Sequence, residues 1–282
     1  MAIIKRLRRG LKSAVNSSFS PLIKVGYGTI ISIELTYESS LDKARSTPCT
    51  DEECHQLTGV IKTFERPNKL LRLLRSIRRT FPTLQLIVVD DSRVPVKLDD
   101  IEVIELPFDS GVSAGRAAGL ERVTTPYVIN LDDDFIFTRK TKLTRAVKYL
   151  NRNSDTDLVA GEVAYLPYYI RYDYSNHQLM NYHRPPIYPK GAVIDGLTVY
   201  EKCANFFVAR TEKLREVGWD PQLKRLDHAD FYTRAYGRLV TVFDPEIELL
   251  HTPTHFDQHY LKIRHNYSQD AIVLNRRYED SK

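Results

Sequence analysis

Three consecutive carboxylates, Asp132-Asp133-Asp134, close the apolar run Tyr127-Val128-Ile129-Asn130-Leu131 and precede Phe135-Ile136-Phe137. Crowded carboxylates repel one another, and a hard divalent cation such as Mn2+ or Mg2+ is a natural way to offset that repulsion. The alternative is a solvated turn that caps the next helix; apolar residues on both sides of the acids argue against it. A second apolar run, Leu84 to Val89, also ends in acids, Asp90-Asp91. Such runs read as buried strands, and α/β folds place ligands beyond the carboxyl ends of parallel strands. Acids from both strand ends could therefore face one crevice. A nucleoside diphosphate with its metal accounts for both sets: one acid for base or ribose hydroxyls, another for the ion bridging the phosphates.

Further on, Asp227-His228-Ala229-Asp230 opens a helix. Asp227 is a plausible N-cap, and Asp230 lies one turn later, so both could point to the same rim. A carboxylate there could take a proton from an attacking hydroxyl; His228 could be that base instead, or an ordinary surface histidine. Ile247 to His251 reads as a strand ending in histidine, which beside an acidic cluster could complete a metal site or could be structural. Tyr165 leads a tyrosine-rich segment reaching Tyr188, and Trp219 precedes the Asp227 loop. Amphipathic aromatics of this kind suit stacking on an acceptor sugar, or cover a hydrophobic shoulder.

The elements that must position these residues follow from periodicity. Leu57–Lys62 reads as a strand, and a helix carries Leu70, Leu71, Leu74 and Ile77 on one face until Pro82 ends it. Strands follow at Leu84–Val89 and Ile101–Leu106, then a helix from Ser113 to Arg122, then the strand ending in the acid trio. Strands alternating with helices imply a Rossmann-like α/β domain with a mixed, mainly parallel sheet flanked by helices. The second half, with strands near Leu158–Val163, Val193–Val199, Ala204–Ala209 and Leu239–Phe243, completes the sheet and builds an acceptor pocket. Residues 1–56 form a distinct leader with a strand at Ile30–Leu35 and a linker from Glu38 to Gln56; residues 57–255 form the domain, and 256–282 a helical tail.

At 282 residues, with 42% hydrophobic and 27% charged, the chain is ordinary for a globular domain. The net charge of +5 is accounted for by Lys5, Arg6, Arg8, Arg9 and Lys12 in the leader, so a globally basic surface for nucleic acid is not supported. Those cations alternate with Ile3, Ile4, Leu7, Leu11, Ala14 and Val15 at helical spacing. Residues 1–15 thus read either as an interfacial helix attracted to an anionic membrane surface or as a helix packed on its own domain. No apolar run is long enough to span a bilayer, and basic residues break up any signal peptide. Cys49, Cys54 and Cys203 read as unpaired thiols of a reducing compartment. The expected location is cytoplasmic, with the inner membrane face as a peripheral option.

These residues together resemble GT-A-fold glycosyltransferases of the inverting family 2 type, and most of all the β-1,4-N-acetylgalactosaminyltransferases of the GM2/GD2-synthase type. The likeness is carried by Ile61-Lys62-Thr63-Phe64-Glu65-Arg66, Val88-Val89-Asp90-Asp91-Ser92, Ser113-Ala114-Gly115-Arg116 and Asp132-Asp133-Asp134-Phe135-Ile136-Phe137. It continues through Asn205-Phe206-Phe207-Val208-Ala209-Arg210. The resemblance implies that Thr63 and Asp91, with Arg66 and Asp90 beside them, border the nucleotide, and that Arg116 approaches its phosphates. It implies Asp132 and Asp134 as the DxD acids at the metal, with Asp134 the direct ligand and Asp132 or Asp133 near the ribose, and His251 as a further metal ligand. His228 stands where the family's second acid would be, which leaves Asp230, or failing it Asp227, as the base. The implied reaction moves a hexose or N-acetylhexosamine from a UDP-sugar to a glycan or glycolipid hydroxyl, as in bacterial surface polysaccharide synthesis. A non-catalytic sugar-binding scaffold on this fold is the alternative. A sugar-nucleotidyltransferase ranks behind both, because the loop Thr63–Asn68 lacks the glycines that cradle a triphosphate.

Overall fold

The computed structural model describes residues 20–45, 52–175, 178–180 and 184–279. The basic segment 1–15 and Cys49 lie outside these. Among the described residues ten strands form one sheet: β1 (Leu57–Thr63), β2 (Gln85–Asp90), β3 (Glu102–Glu105), β4 (Tyr127–Asp132), β5 (Phe135–Ile136), β6 (Leu158–Tyr165), β7 (Val193–Ile194), β8 (Leu197–Val199), β9 (Phe207–Arg210) and β10 (Thr241–His251). Their order is β3-β2-β1-β4-β9-β6-β10-β8-β7, with β5 paired to β10. The strands β3, β2, β1 and β4 run parallel. β9 is antiparallel to both β4 and β6, and β10 runs parallel to β6. The carboxyl ends of β1, β2, β4, β6 and β10 therefore share one edge.

Side chains alternate across each strand, and here that alternation builds two cores. Ile61, Val88 and Ile129 face a cluster that includes Leu70, Leu73, Leu74 and Ile77 of α3 (Pro67–Thr80) and Val147 of α5 (Leu143–Arg152). Their neighbours Val60, Ile87 and Val128 face the opposite cluster, with Leu120 of α4 (Val112–Arg122), Leu214 of α6 (Thr211–Val217) and Phe231 of α7 (Asp227–Ala235). Parallel neighbours need crossovers, and α3 and α4 supply them. Pro67 stands in the first turn of α3, where its missing N–H costs nothing. The buried stripe of α3 takes Leu73, while Leu71 is turned outward at 36% exposure, which corrects the expected face.

The leader differs most from expectation. Ile30–Leu35 is not a strand but part of the long helix α1 (Ser20–Arg45), and the expected linker contains its last turns and the short helix α2 (Glu52–His55). Ile31 is buried against Ile136, Ala164, Leu166 and Leu250, and Tyr27 packs on the rings of His255 and Phe256. Burial at a four-residue spacing overrides the strand preference of its β-branched residues. Val193–Val199 forms a hairpin around Asp195-Gly196, both at positive φ as a two-residue turn requires. Leu239–Phe243 and Ile247–His251 are one strand, β10, interrupted by an irregularity between Asp244 and Glu248. Among the described residues no helix is long and apolar enough to cross a membrane. Two helices, α8 (Gln258–Arg264) and α9 (Ser268–Glu279), end the chain.

Candidate active site

The shared strand edge opens into a cleft of about 1120 Å³. Lys62 and Thr63 come from β1, Asp91 from the residue after β2, Asp132 from the end of β4 and Asp134 from the turn between β4 and β5. Tyr165 ends β6 and His251 ends β10. Arg116 enters from α4, Asp227 and His228 from the start of α7, and Tyr260 of α8 closes the far side.

Ion pairs organise this surface. Lys62 pairs with Asp91, whose other oxygen accepts the Gly111 N–H at 2.8 Å. Gly111 has φ +99°, and a Cβ there would meet the Lys224 backbone at 2.6 Å. Gly115 leaves room for the Lys62 stem, since a Cβ would lie 2.1 Å from its Cδ. Arg66 donates to Asp133 and, at 2.8 Å, to Asp134 Oδ2, while lying 4.2 Å above the Tyr260 ring. Arg116 donates to Asp132 at 2.6 Å and to Asp227. Asp134 Oδ1 faces His251 Nε2 at 3.2 Å. Burial alone would raise the Asp134 carboxyl, but His251 and then Arg66 hold it well below the usual carboxylate range. Burial pushes Asp227 up, opposed by Arg116 and reinforced by Asp132.

Four expected site residues lie elsewhere. Asp230 is 1% exposed and points away from the cleft, accepting from Arg234 at 2.7 Å, Arg277 at 2.6 Å and Tyr278 at 2.8 Å. With no open face it is a brace between α7 and α9, not a base. Asp90 is fully buried and accepts the N–H groups of Ser92 and Val96 at 2.9 Å, which shapes the turn after β2. Asp133 is likewise buried, receiving Thr63 Oγ1 at 2.8 Å and Arg66, so it anchors the trio from behind. Trp219 is 6% exposed and stacks on Phe231 at 5.2 Å, on the inner side of Arg116. Asp227 is no N-cap either: Leu226 holds that position, and Asp227 is bound by Arg116.

Tyr165 does line the cleft, with ring centroids 4.5 Å from His251 and 4.8 Å from Tyr172. His228 lines it too, but its Nε2 is engaged with the Cys203 carbonyl. Sequence reasoning passed over Lys62 and Tyr260. Lys62, a charge inside a strand buried at every position, was a legible signal. Tyr260 carried none, because it reaches Arg66 from nearly two hundred residues away.

The sequence model of the Glycosyl transferase family 2 matches residues 59–218, more than half of the chain. The chain belongs to glycosyl transferase family 2. Among family relatives, the mouse "Beta-1,4 N-acetylgalactosaminyltransferase 2" is 34% identical over 235 residues, covering 78% of this chain and 46% of that protein. The rat "Beta-1,4 N-acetylgalactosaminyltransferase 1" is 36% identical over 203 residues, covering 65% of this chain and 36% of its own length. The chain thus spans less than half the length of these relatives. In fold it matches S. aureus TarS 1–349 in complex with UDP at TM-score 0.53 and 14% identity, over 73% of this chain and 62% of that one. The TarS complex with UDP-GlcNAc matches at TM-score 0.51 and 14% identity, over 72% and 60%. The architecture of this family 2 domain is GT-A.

Whether a divalent cation suits this family 2 site can be judged from its donors. A carboxylate oxygen and an imidazole nitrogen converge at the cleft floor, and the Nδ1 of His251 is buried without a hydrogen-bond partner. Among the described residues no three carboxylate, imidazole or thiol groups converge to hold an ion alone. Two protein ligands with the remainder from water and substrate phosphates is how Mg2+-type ions are commonly held, so the residues fit a cation that arrives with a diphosphate.

Proposed function

We propose that this domain transfers a hexose or N-acetylhexosamine from a UDP-sugar to a glycan or glycolipid hydroxyl, with inversion at the anomeric carbon. The observation that carries the reading is that Asp134 beside His251 and Asp227 line one cleft. The names of the mouse and rat relatives and the nucleotides bound to TarS support the donor class.

Thr63 and Asp91 border the base and ribose, and Asp132, with its side chain one-third exposed, faces the ribose hydroxyls. Arg116 and Lys62 bring positive charge to the diphosphate. Asp134 and His251 would hold Mn2+ or Mg2+, which when bound supplies Lewis-acid stabilisation of the leaving diphosphate. Asp227 accepts the proton of the acceptor hydroxyl; its raised affinity for protons suits that work. Tyr165 offers an aromatic wall for the acceptor sugar. A role in bacterial surface polysaccharide synthesis, at the cytoplasmic face of a membrane, fits the basic leader 1–15.

The test is incubation with UDP-GalNAc, UDP-GlcNAc and UDP-Gal, with Mn2+ or with chelator, following UDP release and the anomeric configuration of the product. Mn2+-dependent release from one donor and an inverted product are expected. No release from any donor overturns the donor class, release in chelator overturns the metal, and retained configuration overturns inversion.

A further inference from the structure

A second cavity, of about 840 Å³, lies between α1, α3 and the Thr252-Pro253 turn. Pro253 lines both this groove and the cleft described above, so the two are neighbours. One wall is the outer face of α1, where Val25, Thr29, Ile33 and Tyr37 recur every four residues and so share a stripe. Val25 is 68% exposed, Ile33 62% and Tyr37 58%, a continuous apolar strip on a helix whose other face is already docked. The facing wall carries Lys69 and Arg72, and among the described lining residues there is no carboxylate. Burial and the neighbouring Arg75 both work against the charge on Arg72. A half-buried guanidinium beside an apolar strip asks for an anion with an apolar body.

We propose that this groove binds a phosphate-bearing lipid, its apolar chain along Val25, Ile33 and Tyr37 and its phosphate between Lys69 and Arg72. The groove opens beside the catalytic cleft, so such a lipid would present the acceptor; that last step rests on the transferase reading, whereas lipid binding does not. Charge complementarity selects the occupant. The chain's own first twelve residues are basic and carry the sign of the groove; Lys69 Nζ is already held by the Thr252 carbonyl and hydroxyl, and a zwitterionic lipid would add no net charge to offset Arg72. The leader's cations would favour the same anionic surface that supplies the lipid.

The probe is dihexanoyl phosphatidic acid below its micelle concentration, titrated into the full chain by calorimetry. Dihexanoyl phosphatidylcholine and inorganic phosphate are the controls, and UDP binding is measured on each protein. Binding of phosphatidic acid at least tenfold tighter than either control is expected. Arg72→Glu should weaken it tenfold or more, and Val25→Asp, an exposed position that should leave folding intact, should do the same. UDP binding should stay unchanged in both variants. Equal affinity for phosphatidic acid and phosphatidylcholine, phosphate binding as tight as the lipid's, or undiminished binding in either folded variant would overturn the proposal. Because UDP is read separately, loss of the donor site and loss of the lipid site are distinguishable.

Discussion

Asp227 and Asp230 differ by one helical turn and by everything that matters for catalysis. Asp227 lines the cleft with Arg116 beside it, whereas Asp230 is enclosed by Arg234, Arg277 and Tyr278. Asp227→Asn should therefore lower kcat by about 10²–10⁴-fold, the usual range for losing a general base, with UDP affinity retained. In the wild type, kcat should fall as pH drops and Asp227 takes up a proton. Since burial raises its pKa, that acid limb should lie above the ordinary carboxylate range and vanish in the variant. Asp230→Asn should leave the pH profile in place and instead destabilise the fold by about 1–3 kcal/mol in urea unfolding, discounted because both arginine partners are partly exposed. The sequence showed both carboxylates at the right spacing from the helix start. It could not show which was taken, because Arg277 and Tyr278 lie about fifty residues downstream.

At the scale of elements, the strands that hold the site were legible and the helices that orient it were less so. β2 and β4 are apolar runs closed by acids and β1 is an apolar run broken by one lysine, and such runs declare themselves. The hairpin turn Asp195-Gly196 was also readable from its residue types, though the sequence reading merged its two strands. Helix α1 was misread because isoleucines at positions 30, 31 and 33 favour strands locally, while its docking partners belong to β5, β6 and β10. The closing helix α9 does more than finish the chain. Asp270 accepts the N–H groups of Lys224 at 3.1 Å, Arg225 at 2.6 Å and Leu226 at 2.8 Å, the three residues before Asp227. Asp270→Ala should strip that support from the entry to α7. The expected result is about 2–4 kcal/mol lower stability in urea, given a buried acceptor with several N–H partners, and a fall in kcat larger than any rise in KM for donor. A change in donor KM alone would argue that α9 shapes the nucleotide pocket rather than Asp227.

For the whole molecule, the charge pattern and the position of the cleft agree on one arrangement. The first twelve residues carry five positive charges and no acid, while Lys62, Arg66 and Arg116 are tied to carboxylates around the cleft. Five carboxylates, Asp91, Asp109, Asp132, Asp134 and Asp227, line the cleft against seven Lys and Arg side chains, an excess of positive charge that suits a diphosphate, with Asp134 left beside His251 for its metal. The same geometry on a scaffold protein would be an unexplained cost, since crowded carboxylates destabilise a fold that makes no use of them. Asp134 and His251 are proposed to hold UDP through a divalent ion, and calorimetric titration of UDP reads that bond itself. UDP should bind in Mn2+, lose at least tenfold in affinity when the ion is chelated, and lose the Mn2+ dependence in Asp134→Ala. UDP binding of equal strength with and without Mn2+, or unchanged by Asp134→Ala, would contradict it.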